Sequence, residues 1–257
     1  MSNLPPQQPS PYGIQHDQGQ PRQSNSNSML ILVGVLLAIV LVCGGVLAGL
    51  LLPAVSAARK AAQRMSRSND LKLIGLAIHN YHSAYKQLPF TIVTNSNGEE
   101  IGGWRVGVSP FAEGQQQWDN YMSNNQSRDI IASDPPASFQ GMEAAPGDTN
   151  IFALVGPNSA FPPTPNTKVR FSSIVDGLAN TAIAIELPNR STNWASNDNM
   201  TADEAYAALQ QLEGGDVGHL LMADGAVIAV VPDIDQQLFN SLITINGGEV
   251  IEEMVGM

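Results

Sequence analysis

The sequence predicts an α+β protein: one long N-terminal helix, membrane-spanning in its first half and amphipathic in its second, laid on a sheet-rich domain with long loops. Three observations carry this. Residues 29–52 contain no charged side chain. Leu71, Ile74, Ile78, Tyr81, Tyr85 and Leu88 then recur at steps of three and four, the spacing of one helix face. Short apolar or β-branched runs bounded by Gly, Pro, Asn and Asp follow, with Asp224-Gly225 between two of them.

The chain has 257 residues, 12 Lys and Arg against 23 Asp and Glu, a net charge of -11, and one cysteine. The length allows one sizeable folded domain with appendages. A single cysteine excludes an intramolecular disulfide and a cysteine-based zinc cage. The acidity argues against a nucleic-acid partner, because phosphate neutralisation needs a basic face. The charge is unevenly placed: Arg59, Lys60, Arg64, Arg67, Lys72 and Lys86 oppose only Asp70, and almost all other acids come later.

Residues 1–28 are rich in Pro, Gln and Ser and poor in large apolar side chains, so they read as a disordered tail. Residues 29–52 are long enough to cross the hydrocarbon core, and longer than a signal-peptide apolar region. The lipid bilayer is therefore an expected partner. Cys43 and the glycines Gly34, Gly44, Gly45 and Gly49 would lie in lipid. Residues 53–89 continue the helix, first as a small-residue stripe of Ala54, Ala57, Ala58, Ala61, Ala62 and Met65, then as the periodic face, with Pro89 as its stop. Residues 90–257 form the sheet-containing domain, one folding unit with 53–89. Strands are expected over 151–155, 181–187, 217–223 and 226–231, with Asp224-Gly225 as a two-residue type I′ hairpin turn. Asp233 with Gln236 reads as a capping box opening a short helix that closes at Gly247. The stretch 89–149 reads as irregular, anchored by Trp104, Phe111, Trp118 and Tyr121.

Residues 50–82, from Leu-Leu-Leu-Pro-Ala-Val-Ser to His-Asn-Tyr-His, closely resemble the opening of a bacterial family known as domain of unknown function 1559. Its marker positions here are Pro53, Arg59, Asn69, His79, Asn80, Tyr81 and His82. Three later blocks agree in order: Gly103-Trp104-Arg105-Val106, Asp176-Gly177-Leu178-Ala179-Asn180-Thr181 and Met222-Ala223-Asp224-Gly225. The resemblance implies a pilin-like architecture, a long helix on an antiparallel sheet, related to the pseudopilins of type II secretion. It also implies anchoring in the inner membrane with the body outside the cytoplasm, and contacts with envelope or secretion proteins. The chain departs from the family at the head of the span, where Ser28-Met29-Leu30-Ile31 replaces the prepilin peptidase site and no acidic residue follows within the span. The expectation is a permanent single-pass anchor that keeps its tail.

Motifs for chemistry are sparse. No G-x-S-x-G elbow, P-loop or dinucleotide glycine fingerprint occurs. His79 and His82 have a spacing that can serve one metal, but no carboxylate lies within a turn, so packing is the expected role. Asp216, Asp224, Asp233 and Asp235 lack EF-hand spacing and read as turn and cap residues. No catalytic residue, metal ligand or cofactor is assigned.

Two functions fit. One is a non-enzymatic, pseudopilin-like membrane protein acting through protein contacts. The alternative is an extracytoplasmic solute- or ion-binding module with a pocket supplied by the stretch from Trp104 to Trp194. Arg59, Lys60, Arg64 and Arg67 just after the span would place the body in the cytoplasm by the positive-inside rule, whereas the resemblance places it outside.

Overall fold

The computed structural model describes residues 26–95, 97–123, 134–141, 144–164 and 166–248. Most of the expected 1–28 tail lies outside the described residues, and helix α1 (Ser26–Tyr85) begins three residues before the expected span. The chain divides into a unit ending at Ala57 and a unit beginning at Ala58.

In the first unit the apolar side chains are exposed: Leu30 at 71%, Leu41 at 66% and Leu52 at 72%. Pro53 lies inside the helix, and the Ser56 hydroxyl donates to the Pro53 carbonyl at 2.8 Å. This segment is long and apolar enough to cross a membrane by length and composition.

In the second unit α1 buries Leu71, Ile74, Ala77 and Ile78 completely, while Leu73 and Leu76 face outward. The predicted core stripe is fully buried as far as Ile78, continues half-buried at Tyr81, which packs against the core, and turns out at Tyr85, 59% exposed. The helix also stops earlier than Pro89. Lys86 takes a positive φ of 57° and its N–H donates to the His82 carbonyl at 2.8 Å, a left-handed stop. Leu88 then re-enters the core as part of the loop.

The body is built on a four-stranded antiparallel sheet. Strands β4 (Ile151–Ala153), β5 (Ala182–Glu186), β7 (Gly218–Met222) and β8 (Val227–Val230) are hydrogen-bonded in that order. Every residue of β4, β5 and β7 is buried, as expected of strands covered on both faces. On one face Ile151, Ile183, Leu221 and Ala223 pack with Leu71, Ile74 and Ile78 of α1 and with Trp104, Phe139 and Phe161. On the other, Phe152, Ile185, Leu220 and Met222 pack with α4 (Ala202–Leu209) and α5 (Gln236–Ser241). An irregularity between Ala182 and Ala184 shifts the register, so Ile183 and Ala184 both join the α1 side.

The 89–149 stretch carries more regular structure than its composition suggests. Strands β1 (Ile92–Thr94) and β2 (Glu100–Gly103) pair antiparallel, and helices α2 (Trp104–Val108) and α3 (Gln115–Ser123) follow. Further on, β3 (Asp148–Thr149) pairs with β6 (Thr192–Asn193). These elements are too short and too polar to show a period. Helix α4 is opened by Thr201, whose hydroxyl accepts from the Glu204 N–H at 3.3 Å while the Glu204 carboxylate accepts from the Thr201 N–H at 2.9 Å. Those bonds hold the Glu204 carboxyl below its usual range.

Two local expectations are corrected. The cap of α5 is Asp235, not Asp233: its carboxylate accepts from the Leu238 N–H at 2.9 Å. The hairpin between β7 and β8 is not type I′, because only Gly225 has a positive φ (91°). The Gly225 N–H donates to the Met222 carbonyl at 2.9 Å and the Met222 N–H to the Ala226 carbonyl at 2.8 Å. This is a three-residue loop whose single left-handed position needs glycine.

Candidate functional site

The motif residues of α1 sit at the seam with this hairpin. Gly75 lets the helix approach closely: a Cβ there would lie 3.0 Å from Leu221 Cδ1 and 3.1 Å from the Gly225 Cα. One turn on, His79 Nε2 lies 3.0 Å from the Ala223 carbonyl oxygen. Its ring stacks on Phe171 and that of His82 meets Phe171 tilted at 40°, each with centroids 4.5 Å away. Burial pushes the His82 imidazole pKa down, helped by Lys86, His79 and Arg170. Pro53, Arg59, Asn69 and Asn80 are exposed.

The later motif residues work as clamps. The Asp176 carboxylate accepts from the N–H groups of Gly247 at 2.7 Å and Gly248 at 2.9 Å. Gly177 supplies a positive φ of 96°, and the Asn180 side chain donates to the Asp176 carbonyl at 3.0 Å. The Thr181 carbonyl accepts from Ala223 N–H, and that of Leu178 from Asp224 N–H, so this block is tied to the hairpin. The Asp224 carboxylate itself accepts from the Ala226 N–H at 2.8 Å. Asp216 lies 3.8 Å from Lys60 Nζ and Asp235 caps α5, so three of the four late aspartates hold separate turns, caps or ion pairs.

Trp104 and Arg105 are fully buried rather than facing a pocket. Arg105 donates through Nε to the Trp194 carbonyl at 2.7 Å, through Nη1 to that of Ile151 at 2.9 Å and through Nη2 to that of Ser196 at 2.9 Å. Burial pushes its pKa down to about 10, opposed by the Asp198 carboxylate. Gly103 admits this arrangement, since a Cβ there would lie 2.0 Å from the Ser196 oxygen. The rigid five-donor fork of arginine is what such a set of fixed carbonyls requires.

A second buried constellation has no sequence signature. Glu186 at the end of β5 lies 3.4 Å from Arg67 Nε of α1 and 2.9 Å from His219 Nδ1 of β7, all three side chains being at most 8% exposed. Burial and the Glu186 charge push the Asp70 carboxyl upward. The cavity beside them is about 10 Å³, lined by Arg67, Asp70, Asn150 and Glu186 among others. That is room for one water and no substrate. The triad is therefore a polar bolt between helix and sheet.

A space with aromatic walls lies at the end of α1. It measures about 520 Å³ and is lined by Tyr81, Tyr85, Phe90, Phe111, Trp118, Gln115 and Asn166 among others, with no charged side chain among the described residues. The Tyr81 and Tyr85 rings lie 4.6 Å apart, and each meets Phe111 edge-on, at 5.8 and 6.1 Å. Of the stretch from Trp104 to Trp194 expected to supply a pocket, Phe111, Gln115, Trp118 and Asn166 do so, while Trp104 and Trp194 belong to the core.

The fold and these sites define an α+β protein with an apolar-headed helix and motif residues that serve packing. Residues 56–147 match the family described as "Protein of unknown function (DUF1559)". The match takes in the Gly103-Trp104-Arg105-Val106 block and ends before the Asp176 and Asp224 blocks. No curated protein and no solved structure matches the chain.

Proposed function

We propose that this is a single-pass anchor of the bacterial inner membrane, pseudopilin-like and non-enzymatic, whose body lies outside the cytoplasm and acts through contacts with envelope proteins. The exposed apolar length of α1 carries the reading, because so much unpartnered hydrocarbon is at home only in lipid. The basic residues after it do not weigh strongly toward a cytoplasmic body. Arg67 pairs with Glu186, and Lys60 and Arg64 donate to the Gly214 and Gly215 carbonyls, so folding alone accounts for three of the four. A second reading, an extracytoplasmic binding module, draws support from the aromatic groove.

Membrane fractionation with an alkaline carbonate wash, followed by protease treatment of intact spheroplasts, tests the proposal. The protein should stay with the membrane and the body should be digested. Release by carbonate, or a body protected until lysis, overturns it.

A further inference from the structure

The aromatic groove is a sizeable space whose wall chemistry, among the described residues, favours one class of occupant. Its volume of about 520 Å³ lies in the range of binding clefts of roughly 300 to 1,000 Å³. Among the described residues no lining side chain is charged, so they offer an ionic ligand no counter-ion for the water it would lose. The polar side chains along the walls are two phenols, from Tyr81 and Tyr85, the Trp118 indole N–H, the Thr94 hydroxyl and the carboxamides of Gln115 and Asn166, of which Gln115 already donates to the Asp119 carboxylate at 2.8 Å. The Tyr81 hydroxyl already shares a hydrogen bond with the Gln87 side chain, which leaves the Tyr85 hydroxyl and the Trp118 indole N–H as the donors facing the groove. Among the described residues Tyr85 and Trp118 have no side-chain hydrogen bond, so both donors are available.

The matching ligand is uncharged, apolar on its faces and richer in acceptors than in donors. A proline-rich segment in the polyproline II conformation has those properties. Each proline offers a carbonyl and no N–H, the helix leaves its carbonyls unpaired, and its stiffness lowers the entropy lost on docking. Aromatic-lined grooves take such segments by this mechanism. A neutral saccharide fits less well, since each of its hydroxyls brings a donor and, among the described residues, no carboxylate lines the groove to receive them.

We propose that the groove formed by Tyr81, Tyr85, Phe111 and Trp118 binds a proline-rich segment of another protein in the polyproline II conformation. The proposal rests on the reading that the body acts through protein contacts, and it names the class of contact. Trp118 is the natural reporter, because Trp104 and Trp194 are fully buried.

The test titrates the full-length protein in detergent with decaproline, with a (Gly-Ser)5 peptide and with maltohexaose, following tryptophan fluorescence. Decaproline should give a saturable change, the other two none, and Tyr85→Ala should weaken decaproline binding at least tenfold. Tyr85 is 59% exposed, so the variant should melt like the parent. Trp118→Phe, which keeps the ring and removes the indole N–H, should weaken binding severalfold when followed by calorimetry. Absence of decaproline binding, equal binding by Tyr85→Ala, or saturable binding of maltohexaose overturns the proposal. Carbonate retention and protease access do not depend on the groove, so failure here is distinguishable from failure of the anchor reading.

Discussion

His219 Nδ1 and Glu186 Oε2 lie 2.9 Å apart across neighbouring strands, both side chains being 5% exposed, and the second oxygen of Glu186 faces Arg67 of α1. One carboxylate thus joins two strands to the long N-terminal helix. Replacing it by alanine leaves the buried Arg67 cation uncompensated. Glu186→Ala should cost about 3 to 5 kcal/mol in urea unfolding of the detergent-solubilised protein, and the double variant Glu186→Ala, Arg67→Met should recover much of that loss. Additive losses would show that the pair does not couple.

Arg105→Lys tests the carbonyl clamp. Lysine keeps the charge but reaches fewer acceptors, so several buried carbonyls lose their donor. We expect a loss of about 2 to 3 kcal/mol and a weakened near-ultraviolet dichroism from Trp104 and Trp194. An unchanged melting temperature would refute the clamp.

His82 and Asp70 should tilt stability in opposite directions with pH. The folded pKa of His82 is depressed below 6.5, chiefly by burial, so the unfolded chain binds more protons just below that pH. Stability present above pH 6.5 is therefore lost as pH falls through this window, and His82→Gln should flatten the fall. The folded pKa of Asp70 is raised above 3.8, by burial and then by Glu186, so the folded chain binds more protons there and stability rises as pH falls toward 3.8. Asp70→Asn should raise the melting temperature at pH 7, with the difference closing below pH 3.8. Melting curves from pH 3.5 to 7.5 on the three proteins decide both.

Ile78→Asp and Leu76→Asp form a matched pair on α1. Ile78 is fully buried, whereas Leu76 is 58% exposed. The first should cost several kcal/mol, a large part of a stability of about 5 to 15 kcal/mol, and the second should change melting by no more than a few degrees. Comparable losses would mean that the outer face of α1 is also covered.

What could be read from the sequence depended on periodicity. Leu71, Ile74 and Ile78 recur on one helix face, and the apolar runs of β4, β5, β7 and β8 are bounded by turn residues, so both layers were legible. Strand ends moved inward by one or two residues, because pairing and not apolarity decides where a ladder stops. Glu186 and His219 gave no signal: each is a single polar residue in an apolar run, and their pairing arises only from strand register. Arg105 could not be placed either, since its partners are backbone carbonyls that no residue type reveals. Thr201 and Glu204 carried a readable capping signature for α4, and the absence of a long apolar period beside it hid the helix. The aromatic groove combines the end of α1 with three later segments, so it exists only in the folded chain.

The attachments of α1 to the body are spread along its length: Lys60 and Arg64 to the Gly214-Gly215 loop, Arg67 to Glu186, the apolar face from Leu71 to Ile78, and His79 to the hairpin. Tension applied along that segment is therefore shared as shear by all of them at once, instead of peeling them off one after another. The helix behaves as a bonded lap joint, and a protein pulled by the N-terminal end of α1 should yield in a single rupture rather than a series of small slips.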